Sequence, residues 1–196
     1  MKTSHIVLIA IVAVIVFLGG CTASTYNNLV SQDEAVGRAW ADVQAQYQRR
    51  SDLIPNLVNT VKGYASHERE TLEAVTNART RATQITVDPE NLTPEKLAEY
   101  QQAQGEVSQA LGRLLAITEN YPDLKASEQF SELQAQLEGT ENRIAESRRL
   151  FNEATQTYNV NVRRFPNNIF AGMFGFSTKA AFQAETGAEK APEVSF

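Results

Sequence analysis

The chain has 196 residues, about the length of one domain, and its 23 acidic and 18 basic residues give a net charge of −5. This acidic balance argues against nucleic-acid binding, which needs a basic surface. The single cysteine excludes an internal disulfide and a cysteine-based zinc cage. No nucleophile elbow or glycine-rich phosphate loop is present, so we predict a non-enzyme without catalytic, cofactor-binding or metal-binding residues.

The N-terminal segment is an unbroken apolar run from Ile6 to Leu18, which extends through Ala23 to a marginal membrane span. The sequence Leu-Gly-Gly-Cys at residues 18–21 resembles a bacterial lipobox, where the signal is cleaved before the cysteine and the cysteine receives lipid. An uncleaved single-span anchor is the alternative. We therefore predict that residues 1–23 are a signal or anchor segment and that Cys21 is lipidated.

The distribution of basic residues predicts the orientation of the chain. Lys2 precedes the apolar run, and no Lys or Arg follows it until Arg38. Since positive charge stays on the cytoplasmic side of a membrane, either type of anchor predicts that the rest of the chain is extracytoplasmic.

Apolar residues then recur at alternating spacings of three and four, the pattern of packed helices. The predicted helices run from about Thr25 to Arg50, from Ser51 or Asp52 to about Thr86, from Thr93 to Tyr121, and from about Ser127 to Phe165. The positions predicted to lie in the core include Trp40, Leu72, Leu111 and Ile144.

The first break is predicted because Ser51 or Asp52 can cap a helix and Pro55 is tolerated in its first turn. One continuous helix from Ile6 through Gly63 is the alternative. Short connections make neighbouring helices antiparallel, so residues 24–165 are predicted to form an all-α, antiparallel up-and-down four-helix bundle. Residues 166–196 are predicted to be an apolar aromatic segment followed by an acidic tail.

Four polar residues occupy apolar positions, one on each predicted helix. They are Asp33, Glu68, Gln104 and Ser147. Antiparallel pairing predicts that the first three lie at similar heights, close to Arg143 and Arg148. We interpret the set as a hydrogen-bonded polar layer that fixes helix register. The alternative is a metal-binding or enzymatic bundle that uses the carboxylates of Asp33 and Glu68.

The end of the fourth helix returns toward the membrane, because that helix is antiparallel to the first. A basic, aromatic-rich segment follows, and it is suited to contact with a lipid surface or a membrane partner. The predicted membrane-proximal contacts are Arg163, Arg164, Phe165, Ile169, Phe170, Phe174 and Phe176. The alternative is that these aromatic residues cap the open end of the bundle core.

Several motifs resemble the LemA family. They are residues 48–65 (QRRSDLIPNLVNTVKGYA), residues 67–72 with Ala78-Arg79, residues 33–36 with Trp40, residues 165–168 with 171–176, and the ending 191–196. The resemblance implies a bacterial membrane protein with one N-terminal hydrophobic helix, a helical bundle and no accepted catalytic residues. The chain departs from the common family pattern at Gly20-Cys21, which favours lipid attachment.

The predicted function is a non-enzymatic, membrane-anchored bundle that binds other envelope proteins. The predicted interaction surface, placed at a membrane-distal turn, is Arg49, Arg50, Asp52, Leu53, Pro55 and Asn56. A self-assembling module at the membrane interface is a further alternative.

Overall fold

The structure is a computed structural model that describes residues 3–89 and 92–183. Within these ranges the chain is helical and contains no strand. The helices are α1 (Thr3–Tyr64), α2 (Arg69–Gln84), α3 (Pro94–Thr118), α4 (Pro122–Lys125), α5 (Glu128–Arg163) and α6 (Asn167–Phe174). The prediction of an all-α protein with a long N-terminal apolar helix is confirmed.

The long helices pack as antiparallel pairs. Asn161 of α5 donates to Gln32 of α1 at 2.7 Å, and Glu141 lies 2.9 Å from Arg50 further along the same pair. The pair formed by α2 and α3 is likewise antiparallel, since Arg81 bonds Glu106 at 2.9 Å while Glu68, just before α2, bonds Tyr121, just after α3. The α2 helix also packs against α1, so the two pairs share one core.

The predicted break at Ser51 or Asp52 is wrong. The α1 helix continues without interruption from Thr3 to Tyr64, as in the alternative of one continuous helix. The chain turns instead at residues 65–68, before α2 begins. As a result, residues 51–64 belong to the first helix, and the second helix is shorter than predicted.

A hydrogen bond between α1 and α2 compensates for the proline inside α1. Pro55 has no N–H and leaves the carbonyl of Ser51, four residues earlier, without its helical donor. The Nε of Arg79 on α2 donates to that Ser51 carbonyl at 2.8 Å. The interhelical bond therefore replaces the missing helical one, and the helix does not end at the proline.

Substitution of Arg79 by Met should remove this donor and lower the free energy of unfolding by about 1–3 kcal/mol, the usual cost of an unsatisfied buried polar group. The loss should be smaller in a Pro55→Ala background, since alanine restores the helical N–H. Urea unfolding followed by circular dichroism measures both effects in a double-mutant cycle. Equal losses in the two backgrounds would show that Arg79 does not compensate for the proline.

Side-chain caps fix the starts of α3 and α5 where the sequence predicts them. The Thr93 hydroxyl accepts from the Lys96 N–H at 3.3 Å, with Pro94 at the first helical position. The Ser127 hydroxyl accepts from the Phe130 N–H at 3.5 Å. Both hydroxyls satisfy N–H groups that a helix start leaves without a partner.

The core consists of two hydrophobic clusters, one after the other along the bundle. The proximal cluster, nearer the N-terminal apolar segment, includes Val36, Trp40, Tyr47, Tyr100, Ile144, Phe151, Tyr158 and Phe182. The distal cluster includes Ile54, Leu57, Val61, Leu72, Val75, Leu111, Leu114, Leu124 and Leu137. The predicted core positions Trp40, Leu72, Leu111 and Ile144 are all buried, as expected.

Candidate functional site

The N-terminal part of α1 is long and apolar enough to cross a membrane. Each of its large apolar side chains from Val7 to Leu18 that the structure describes is more than half exposed. A helix that is apolar on all sides and uncovered by protein fits burial in lipid. Cys21 lies on the same helix and is exposed. Its lipidation remains a prediction.

The predicted membrane-proximal residues at the end of the bundle fall into two groups. Phe174 and Phe176 pack edge-on against Tyr26 of α1, with ring centroids 5.0 and 5.8 Å apart. Phe165 and Ile169 instead point away from the protein and are 75% and 54% exposed. The alternative that these residues cap the core therefore holds for Phe176, which packs on the proximal cluster, but not for Phe165 and Ile169.

The other predicted residues of this segment lie close by. Arg163 and Arg164 are exposed, and Phe170 is half-buried. The segment contains an eight-residue helix, α6, which packs on both α1 and α5. The predicted acidic tail from Thr186 onward lies outside the described residues.

The predicted interaction surface lies in the middle of α1, because the helix does not end there. Arg49, Asp52, Pro55 and Asn56 are exposed, and Leu53 is half-buried against the distal cluster. The placement of Arg50 on this surface is wrong, since that residue is only 2% exposed.

Arg50 lies between the two hydrophobic clusters and joins three helices. Its Nη1 donates to Ser108 Oγ at 2.8 Å and to Glu141 Oε1 at 2.9 Å. Its Nη2 donates to the Gln104 side chain at 2.6 Å and to the Gln104 carbonyl at 3.1 Å. A buried charge is costly unless it is paired and hydrogen-bonded, and this guanidinium has both kinds of partner. We call Arg50, Gln104, Ser108 and Glu141 the Arg50 cluster.

The predicted polar layer is wrong as a group, because only Gln104 belongs to the Arg50 cluster. Asp33 pairs with Lys179 at 2.7 Å, about 25 Å along α1 from Arg50. Glu68 accepts from the Tyr121 hydroxyl at 2.9 Å, at the opposite end of the bundle. Glu68 is displaced because the chain turns at residues 65–68 instead of 51–52.

The remaining member of the predicted layer, Ser147, donates to the Arg143 carbonyl of its own helix at 2.9 Å. The separation of Asp33 from Glu68 also removes the carboxylate pair on which the metal-binding alternative depended. Over residues 3–89 and 92–183, no group of three or more His, Cys, Asp or Glu side chains is placed to hold a metal ion.

Two buried tyrosines adjoin the Arg50 cluster. Tyr47 and Tyr100 pack edge to face with centroids 5.4 Å apart, and the Arg50 guanidinium lies 5.1 Å from the Tyr47 ring centre. Burial raises the pKa of both phenols above the ordinary value. For Tyr47, the positive charge of Arg148 opposes this rise in pKa. Both phenols are therefore protonated at neutral pH, which fits packing and hydrogen bonding.

An extended segment that was not predicted, residues 176–183, follows α6, and we call it the strap. The Asn159 side chain donates to the Lys179 carbonyl and accepts from the Lys179 N–H, both at 2.8 Å. Asn152 bonds the Phe182 carbonyl at 3.1 Å and its N–H at 2.9 Å in the same way. Seven residues of helix and three of extended chain both rise about 10 Å, so the two asparagines match the strap in register.

Side chains of the strap complete the proximal cluster. The Phe182 ring stacks on Trp40 with centroids 5.9 Å apart and meets Phe151 edge-on at 5.5 Å. The Arg148 guanidinium lies 4.7 Å from the Phe182 ring centre. The sequence signal for this contact is a pair of asparagines seven residues apart on one helix face, followed by a Lys-x-x-Phe segment.

Together, these features define an all-α domain that continues directly from an exposed apolar helix, an architecture that fits membrane anchoring. Residues 39–196 match the LemA family, and the chain belongs to this family. The resemblance found in the sequence is thereby confirmed.

The curated relatives span most of the chain at modest identity. Magnetosome protein MamQ 2 of Paramagnetospirillum magneticum is 26% identical over 195 residues, which cover 91% of this chain and 71% of the relative. Protein LemA of Metamycoplasma hominis is 27% identical over 158 residues, which cover 81% of this chain and 68% of the relative. Magnetosome protein MamQ of Magnetospirillum gryphiswaldense is 27% identical over 168 residues, which cover 77% of this chain and 62% of the relative.

Proposed function

We propose that the protein is a non-enzymatic scaffold of the bacterial envelope that is anchored by α1 and binds other envelope proteins through its bundle. The observation that carries this proposal is the continuity of α1. The same helix provides the exposed apolar segment and one side of both core clusters, with no linker between them. Such a helix holds the bundle in a fixed orientation relative to its anchor.

The proposed partner surface is the exposed middle of α1, which we now restrict to Arg49, Asp52, Pro55 and Asn56. These residues lie on the side of α1 that faces away from the core. They present charged and amide groups on a rigid helix, so a partner binds without ordering a loop. Rigid presentation lowers the entropic cost of association.

The orientation of the bundle is part of the same proposal, and lipid attachment at Cys21 is the alternative to an α1 that spans the membrane. The lone Lys2 before the apolar segment supports a bundle outside the cytoplasm. The exposed position of Cys21 supports that alternative, in which cleavage before Cys21 removes residues 1–20 and acyl chains replace the apolar part of α1. The intact mass of the mature protein tests the anchor, because cleavage with acylation and an uncleaved span give different masses.

Photo-crosslinking in native membranes tests the partner surface. A photoreactive residue at position 49 of the full chain should capture an envelope protein, whereas the same residue at the exposed position 146 on α5 should not. The Arg49→Glu change should reduce capture from position 56 without altering the thermal unfolding midpoint. Equal capture from positions 49 and 146, or none, would refute the proposal. Capture of a second copy of this chain alone would favour the self-assembling alternative.

A further inference from the structure

The position of α6 relative to the anchor is set by Tyr26. Its ring contacts Phe174, the last residue of α6. A hydrocarbon core about 30 Å thick requires about 20 helical residues, so a span that begins at Ile6 ends near Thr25. Tyrosine is enriched at the membrane–water interface. Tyr26 and the helix packed on it therefore lie at headgroup level when α1 is inserted.

One side of this segment is apolar and uncovered. Ile169 and Met173 lie four residues apart on α6 and therefore share a face, and Phe165 lies in the turn just before the helix; the three are 54%, 66% and 75% exposed. Ala171 lies on the opposite, buried side. Exposed large apolar side chains that lie this close in the chain mark a contact site. We call these three residues the α6 face.

Positive charge adjoins the α6 face. Arg163 and Arg164 directly precede Phe165, and both are exposed. Arginines beside an apolar helical face are typical of segments that lie on anionic lipid, where the guanidinium groups meet phosphates and the apolar groups enter the acyl boundary. The charge and the depth of the segment both indicate lipid as the occupant of this face.

We propose that α6 is a second membrane-binding site, which inserts the α6 face into the interface of an anionic bilayer while Arg163 and Arg164 contact lipid phosphates. This inference rests on the proposed anchoring by an uncleaved α1 that spans the membrane. It adds a contact far along the chain from the anchor, so the bundle is held at two points and cannot rotate freely about the axis of α1.

Depth-dependent quenching tests the proposal in the full chain. The protein is placed in vesicles of phosphatidylcholine and phosphatidylglycerol with brominated acyl chains, which quench nearby indoles. In the Met173→Trp variant, much of the emission that comes from the introduced indole should be quenched. The matched control, Leu150→Trp, places an indole at a position that is 44% exposed on α5, about 20 Å further from the membrane, and that indole should not be quenched. The native Trp40 is buried and common to both variants.

Further variants separate the possible outcomes. In the Met173→Trp background, Arg163→Glu with Arg164→Glu should weaken quenching in the anionic vesicles, and circular dichroism should show an intact fold. Unchanged quenching would refute the contact with lipid phosphates. If the chain floats with vesicles but the introduced indole is not quenched, the α6 site is refuted and the anchor stands. If the chain does not float with vesicles, the anchoring proposal itself fails.

Discussion

Substitution of Arg50 by Met should lower the free energy of unfolding by about 2–4 kcal/mol, one of the largest effects expected in the bundle. The guanidinium donates hydrogen bonds to the side chains of Ser108, Gln104 and Glu141. Without it, Gln104 remains buried with no charged donor. Glu141 loses less, because it is 43% exposed and water can replace part of the interaction. Urea unfolding followed by circular dichroism in detergent measures the loss.

The neighbouring residue provides the control for this prediction. Arg49 is exposed, so Arg49→Met should change the free energy of unfolding by no more than about 0.5 kcal/mol. The Arg50→Lys change should lower the free energy of unfolding by an intermediate amount, since lysine keeps the charge but lacks the planar guanidinium that reaches three partners. Similar losses for Arg49→Met and Arg50→Met would refute the structural role of the Arg50 cluster.

The Phe182→Ala change should release the strap. Removal of a buried phenyl group lowers the free energy of unfolding by about 3 kcal/mol. Here it should weaken the docking of residues 176–183 onto the bundle by that amount. Trypsin cleavage after Lys179 should then accelerate on the order of 100-fold, because proteolysis follows the population of the open form. Mass spectrometry of the digest measures this cleavage, and the emission of Trp40 should change as its stacked partner leaves.

A matched phenylalanine controls for the loss of the aromatic ring. Phe165 is 75% exposed, so Phe165→Ala should leave cleavage after Lys179 unchanged. If Phe182→Ala is cleaved no faster than the native chain, the strap is held by its polar contacts, which include the asparagine hydrogen bonds and the Asp33–Lys179 ion pair, and the packing argument is wrong.

Helical periodicity in the sequence is sufficient to predict most of the fold. The three- and four-residue spacing places Trp40, Leu72, Leu111 and Ile144 inside, and all four are buried. The same register also includes position 50, which follows Tyr47 by three. Arg50 is therefore buried where the pattern indicates. Its assignment to the interaction surface followed from the motif that clusters at the turn predicted near Ser51, and its hydrogen-bond partners on α3 and α5 bury it instead.

The errors in the prediction arise from contacts distant in sequence. Pro55 suggests a helix start, and the reason that α1 continues is an arginine 28 residues beyond Ser51. The position of Glu68 then follows from the true turn. The strap has no periodic pattern, and its register depends on two asparagines that lie 20 and 30 residues before their partners. The helix and strand propensities of single residues give no information about pairings between residues so far apart in the chain.

If α1 spans a membrane as proposed, its unbroken helix couples membrane geometry to the reach of the bundle. From Tyr26 to Tyr64 the helix extends about 57 Å. Membrane helices incline by about 20° on average, and that inclination swings the far turn sideways by about 20 Å. No hinge absorbs this displacement. The bilayer thickness, which affects the inclination of a spanning helix, therefore determines which neighbouring proteins the turn at residues 65–68 can reach.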